Sequence, residues 1–236
     1  FVGEHPGPPG AARAVLVHGS LDRSSAFART ARLLADLEVV RYDRRGYGRS
    51  LAAGPCDGFD DQVDDLAEVV GERPSVIVGH SLGGVVALAF AQRRPDLAPA
   101  VVAYEAPMPW EAWWPASSAG GAALTAATDA GDAAEGFMRR MIGDDRWASL
   151  PAGTRAQRRA EGPALVAELR AIRAPSPAPF LAEALEIAVV AAHGTTSAPH
   201  HQASARALAE RAPFGEGHAG GKGAFVKDLE RRLLAH

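Results

Sequence analysis

The sequence predicts an α/β protein with a mostly parallel, doubly wound sheet and an inserted helical cap. Three observations carry this expectation. Short β-branched runs alternate with helically spaced apolar residues along 1–108, joined by short turns, as in successive βαβ units. The alternation stops from about Pro107 to Ala178 and resumes at Ala188, so a helical stretch interrupts a sheet. The chain's 236 residues, 47% hydrophobic and 22% charged, suit a single core with an insertion better than two independent domains. The expected division is therefore 1–108 with 179–236 as core and 109–178 as cap.

Taken in order, Phe1 to Glu4 reads as the end of an edge strand, followed by a Pro/Gly turn from His5 to Gly10. Ala14-Val15-Leu16-Val17 is a buried strand that ends at His18-Gly19-Ser20. Phe27, Ala31, Leu34 and Leu37 recur at helical spacing over about 24–37, and Glu38 to Tyr42 forms the next strand. Asp43 to Ser50 is a loop with turn glycines at Gly46 and Gly48. Val63, Leu66, Ala67 and Val70 mark a helix from Asp60. Ser75 to Val78, between Pro74 and Gly79, has the β-branched make-up of a central strand. Val85 to Ala91 is apolar on nearly every side and stops at Arg94 before Pro95, which suits a helix buried against the sheet. Pro99 to Tyr104 is a further strand. After the insertion come a strand over Ala188–Ala192, a helix over Pro199–Arg211, a short strand near Phe214 and a last helix over Gly223–Leu234.

Bulk composition excludes several classes of function. Net charge is −3 with no basic block, so neither nucleic acid nor an anionic membrane finds an electrostatic footprint. No apolar run reaches spanning length. The single cysteine, Cys56, excludes an internal disulfide and any multi-cysteine metal framework. A single cysteine fits a reducing compartment, and a cytoplasmic location is expected; the first residue is Phe1 and not Met, as it would be after a trimmed leader, and no basic stretch followed by an apolar run is visible in the sequence. No cofactor or metal is called for, and the expected partner is a small-molecule substrate acted on by a monomer or homodimer.

The chemistry centres on Val78-Gly79-His80-Ser81-Leu82-Gly83-Gly84. A strand that turns abruptly into a helix forces its corner residue into strained backbone geometry, and neighbours without Cβ atoms make the room. That places the Ser81 hydroxyl at a helix N-terminus, where free N–H groups favour developing negative charge. Serine is a poor nucleophile near neutral pH and needs a base oriented by an acid. His218, in the glycine-rich loop Gly215 to Gly221, is free to lean over the strand ends and is the expected base. His18 and His80 occupy tight turns and read as structural hydrogen-bonders. His193, His200 and His201 have no carboxylate at ligand spacing and read as surface histidines. An oxyanion hole needs two aimed N–H donors. Leu82 follows the nucleophile and supplies one, Ser20 is the expected second, and Leu21 is the fallback. All four tryptophans and all three methionines fall in the insertion or at its edge. Of these, Trp110, Trp113, Trp114, Met138 and Met141 are expected to line an apolar pocket.

In their order, Val17-His18-Gly19-Ser20, Asp43 to Ser50, Gly79 to Gly84 and Gly217-His218 resemble the α/β-hydrolase fold superfamily along nearly the whole chain. The resemblance implies serine-hydrolase chemistry under a helical cap. In most of that family the acid is an aspartate three residues after a glycine, behind the strand before the last crossover. Here the stretch reads His193-Gly194-Thr195-Thr196-Ser197, and the slot holds Ser197. A branch including many haloalkane dehalogenases takes its acid from the end of the strand after the nucleophile helix. The corresponding stretch here, Ala103-Tyr104-Glu105-Ala106-Pro107, makes Glu105 the expected acid. Those dehalogenases use an aspartate nucleophile where this chain has Ser81. The leading expectation is a Ser81-His218-Glu105 triad cleaving an ester, thioester or related acyl compound. Carbon–carbon bond hydrolysis or acyl transfer on the same triad, and a non-hydrolysing ligand-binding protein on the same scaffold, stay open.

Overall fold

The computed structural model describes residues 1–173 and 177–212. The strand expected near Phe214, the last helix from Gly223 and the candidate base His218 lie outside the described residues. The first half runs β1 (Val2–His5), β2 (Arg13–Val17), α1 (Ala28–Leu33), β3 (Glu38–Tyr42), α2 (Phe59–Val70), β4 (Val76–His80), α3 (Leu82–Arg93) and β5 (Ala100–Tyr104). The helical insertion follows as α4 (Ala119–Ala126), α5 (Ala130–Ile142), α6 (Asp144–Ser149), α7 (Ala152–Ala160) and α8 (Gly162–Ala171). The chain then returns to the sheet through β6 (Ala188–Ala192) and leaves it along α9 (Pro199–Arg211).

The described strands form one sheet in the order β1-β3-β2-β4-β5-β6. β1 pairs antiparallel with β3, and the other neighbours pair parallel. Side chains alternate between the faces, as the strand period demands. Ala14, Leu16, Val76, Val78, Ala100 and Val102 point into a core shared with Ala31 and Leu34 of the α1 region. Val15, Val17, Ile77, Val101 and Ala103 point the other way, into a core shared with α2 and α3. Both faces are therefore covered, which explains strands without a polar alternation. α3 is buried from Leu82 through Ala91, so its all-round apolar sequence follows from its central place.

Two local differences from the sequence expectation have clear causes. The 24–37 segment is not one helix: Ser24–Phe27 is a tight 3-10 turn and α1 ends at Leu33. The Asp43 carboxylate captures the Ser24 N–H at 2.7 Å and fixes the tighter turn. β4 continues through Gly79 and His80, because His80 stays in register with Tyr104 of β5. Tyr104 is in turn level with Ala192 of β6, so the carboxyl ends of three adjacent strands share one rim.

A buried ionic network ties the insertion to the sheet. Arg44, just past β3, and Glu168, in α8, are both fully buried and paired at 2.8 Å. Arg44 also donates to the His18 carbonyl at 2.9 Å and to Gln62 at 3.1 Å, while the Tyr47 hydroxyl donates to Glu168 at 2.6 Å. Burial pushes the Arg44 pKa down, but Glu168 and Tyr47 more than offset this, and the net shift is upward. Two turns earlier, at the start of α8, Glu161 accepts from Arg23 at 2.7 Å, from the Gly48 N–H at 2.9 Å and from Arg158 at 3.0 Å. The loop with the two turn glycines is thus the seat on which the insertion rests.

Candidate active site

Ser81 stands at the corner between β4 and α3 with φ 52° and ψ −124°. For a non-glycine residue this backbone costs about 1–3 kcal/mol and persists only where the surroundings over-determine it. Here the Ser81 N–H donates to the Tyr104 carbonyl at 2.8 Å, and its own carbonyl accepts from Gly84 N–H at 2.8 Å. The glycines make the corner sterically possible. A Cβ on Gly79 would lie 2.3 Å from the Gly83 oxygen, and one on Gly83 would lie 2.2 Å from the Val17 oxygen. A Cβ on Gly19 would come within 2.9 Å of the Ser81 Cβ, so the β2 end closely approaches the serine. Leu82 opens α3, where main-chain N–H groups have no partner within the helix.

Ser81, Leu82, Ser20 and Glu105 line one cavity of about 650 Å³ between the strand rim and the insertion. Of the five side chains expected to form an apolar pocket, Trp114 and Met141 stand in this wall. Trp110, Trp113 and Met138 do not. Trp110 packs edge-on against Phe180 at 5.5 Å, Met138 packs against the main core, and Trp113 is 39% exposed beside Trp114. Phe137, Leu169 and Ile172 take their places in the wall. α5, α8 and the residue just past α8 present them, and composition alone does not tell the pocket face of a helix from its core face. Leu21, the fallback donor, has φ 50° in the turn after β2.

Glu105, just past β5, is also in a positive-φ conformation, φ 54°, with its N–H donating to the Ala192 carbonyl at 2.8 Å. Ser197, the residue in the vacant acid slot, donates its hydroxyl to Glu105 Oε1. The reading of His200 and His201 as surface histidines is corrected: both are half-buried in the cavity wall, with ring centroids 4.7 Å and 5.3 Å from that of Trp114. His193 is also half-buried, with Nδ1 2.9 Å from the Gly194 carbonyl. Burial lowers the pKa of His200 and His201, and the Glu105 charge opposes the shift in each. The Glu105 main chain also favours charged His201, yet no acceptor reaches bonding geometry at its buried Nδ1. Among the described residues no three His, Cys, Asp or Glu side chains are grouped to hold a metal ion.

His18 is a structural hydrogen-bonder, as its turn position suggested. Its Nε2 accepts from the Arg44 N–H at 2.9 Å, so the proton sits on Nδ1, which faces the Gly19 carbonyl at 2.8 Å. Burial, and then the Arg44 charge, lower its pKa to about 3 and keep the ring neutral. His80 lies 4.0 Å from Asp22 and 5.8 Å, ring to ring, from Tyr104. Sequence reasoning missed Tyr104, Arg140 and Arg173 in the cavity wall, and no motif signals them.

Residues 14–222 match the alpha/beta hydrolase family, and the chain belongs to it. Among curated proteins it is similar to Lipase LipV of Mycobacterium tuberculosis, 38% identical over 99 residues, which cover 41% of this chain and 38% of the lipase. The fold is that of a solved alpha/beta hydrolase from Sphaerobacter thermophilus, with TM-score 0.68 at 22% identity over 99% of this chain and 95% of the other. It is also that of the type II thioesterase BorB from the borrelidin biosynthetic cluster, with TM-score 0.69 at 19% identity over 99% and 97% of the two chains. No described helix is long and apolar enough to cross a membrane.

Proposed function

We propose that the chain is a serine hydrolase that cleaves an ester, thioester or related acyl compound with an apolar portion. The observation that carries the reading is Ser81 at a positive-φ corner between strand and helix, opening onto a cavity it shares with Leu82, Ser20 and Glu105. Membership of the hydrolase family and similarity to a protein named as a lipase support an acyl substrate. In this mechanism Ser81 Oγ attacks the carbonyl carbon and its proton passes to His218. The main-chain N–H groups of Leu82 and Ser20 stabilise the oxyanion. The carbonyl re-forms as the bond to the leaving oxygen or sulfur breaks, and His218 returns the proton to that atom. Water then attacks the acyl-Ser81 with His218 again as base, releasing the carboxylic acid and restoring the serine. Glu105 is the acid that orients the imidazole. Residues 109–178 act as a cap, closing the strand rim against water. The reading is tested by labelling with a fluorophosphonate and by turnover of a panel of acyl esters and thioesters. Stoichiometric labelling at Ser81 is expected, with kcat falling by about 10³–10⁶ in Ser81→Ala while the fold persists. Near-wild-type turnover in that variant would remove the nucleophile assignment.

A further inference from the structure

The cavity holds charge that the proposed chemistry does not use. Arg140 of α5 and Arg173, just past α8, both line it. Among the described residues neither meets a carboxylate. Arg173 Nη2 donates to Ser118 Oγ at 3.1 Å and Nη1 lies 3.5 Å from the Leu169 carbonyl, while Arg140 Nη2 donates to the Ser117 carbonyl at 3.1 Å. Every one of these partners is neutral. Elsewhere in the insertion Arg139 pairs with Glu135 and Asp144, Arg158 with Glu161, and Arg159 with Asp132 and Glu135, while Arg155 donates to the Ala148 and Leu150 carbonyls away from the cavity lining. Among the arginines that meet only neutral partners, Arg140 and Arg173 are the two that line the cavity.

They converge on the same short turn, Ser117-Ser118, which leads into α4. Ser117, Ser118, Ala119 and Gly120 all line the cavity there. Burial lowers the Arg173 pKa, and no nearby carboxylate counters it. The one carboxylate among the described lining residues, Glu105, accepts from Ser197 and meets neither arginine in an ion pair. The Trp114 ring packs on His200 and His201, next to Glu105, and its indole N–H donates to Ser118 Oγ at 3.2 Å. Two guanidinium groups fixed on one turn, one of them half-buried, would be stabilised by an oxyanion accepting from their free N–H groups. Phe137, Met141, Leu169 and Ile172 supply an apolar wall in the same cavity.

We propose that Arg140 and Arg173 form an anion subsite, so that the substrate is an acyl compound carrying a carboxylate or phosphate at the end of an apolar stem. The inference rests on the hydrolase reading for placing the scissile carbonyl at Ser81. Its test compares three para-nitrophenyl esters of equal chain length, ending in a methyl group, a carboxylate or a phosphate. The wild-type protein is expected to cleave an anionic ester with kcat/KM about 10–100-fold above the neutral one, the range of one or two charge-assisted hydrogen bonds. Arg173→Gln and Arg140→Gln should each remove most of that ratio, chiefly through KM, and Arg173→Lys should restore part of it. The carboxylate and phosphate arms identify the anion. Arg140 is exposed, so its variant reads the subsite even if Arg173→Gln folds poorly. A second measurement is independent of catalysis: tryptophan fluorescence of Ser81→Ala, titrated with a free dicarboxylate and with inorganic phosphate. Saturable binding that either arginine variant abolishes upholds the subsite even if no ester is turned over, an outcome that removes only the hydrolase reading. A wild-type ratio near one, a ratio unchanged in both variants, or no saturable binding of either anion would overturn the subsite.

Discussion

Replacing Glu168 by alanine tests how the insertion is held on the sheet. The Glu168 carboxylate is fully buried and accepts from Arg44 at 2.8 Å and from the Tyr47 hydroxyl at 2.6 Å. Without it, Arg44 keeps only the His18 carbonyl and Gln62 as neutral acceptors, and its other terminal nitrogen is already buried without a partner. Removing one partner of a buried pair costs about 3–5 kcal/mol, because the charge left behind has neither water nor a counterion. For a chain of this size that is a fall of about 6–20 °C in Tm. Glu168→Gln keeps an acceptor for Arg44 and should lose less than the alanine variant. The double variant Arg44→Met/Glu168→Leu removes both charges and should be more stable than Glu168→Ala alone. Urea unfolding followed by tryptophan fluorescence gives the free energies, with limited proteolysis of 109–178 as the local readout. A Glu168→Ala variant within about 1 kcal/mol of wild type would refute the view that this pair bears on the seating of the insertion.

Three further outcomes are expected. Gly83→Ala would place a Cβ 2.2 Å from the Val17 oxygen, and since main chain on both sides has no room to give, stability should fall by about 3 kcal/mol or more; urea unfolding near wild type would contradict the glycine argument. His18 has its pKa lowered from 6.5 to about 3 in the folded protein, so the unfolded chain binds the extra proton between those values and stability rises with pH across that window. Acidification from pH 6.5 to 5 should therefore cost about 2 kcal/mol through this residue, and a slope of stability against pH that is unchanged in His18→Asn would contradict it. Glu105→Gln should lower kcat by about 10²–10⁴ with binding largely kept, and a loss confined to KM would assign Glu105 to substrate contact instead.

The elements legible in the sequence are those whose limits are set by local chemistry. β2 and β5 read as buried strands because covering both sheet faces demands uninterrupted apolar runs, and α9 begins at Pro199 because proline fits a first helical turn. The strained corner at Ser81 was legible because its glycines are close in sequence. What could not be read depends on distant partners. Arg44 and Glu168 are 124 residues apart, and neither position carries a signal that the other exists. His200 and His201 open an exposed-looking helix, and distant partners, among them Trp114 from the insertion, make them part of a cavity wall. Trp110 and Trp114 sit four residues apart in sequence and face a core and a cavity respectively, a distinction set by tertiary packing.

The departure at the acid position has a structural counterpart. Because the Glu105 N–H is bonded to the Ala192 carbonyl, the ends of β5 and β6 lie side by side, and the turn after β6 carries Ser197 over the carboxylate. The slot that holds an aspartate in the commoner family pattern thus holds a hydroxyl donor to the carboxylate of the neighbouring strand. An aspartate at 197 beside Glu105 would put two carboxylates in contact, and like charges at that range force one to stay protonated. A serine avoids the conflict and helps fix the glutamate's orientation through a charge-assisted hydrogen bond. The positive φ of Glu105 turns the chain at the strand end, in the same rim as the corner at Ser81. Two strained non-glycine residues on adjacent strand ends, linked by the Ser81 N–H bond to Tyr104, mark where the fold trades local stability for geometry. That concentration of strain, together with the nucleophile motif, supports the proposal that the chemistry lies at this end of the sheet.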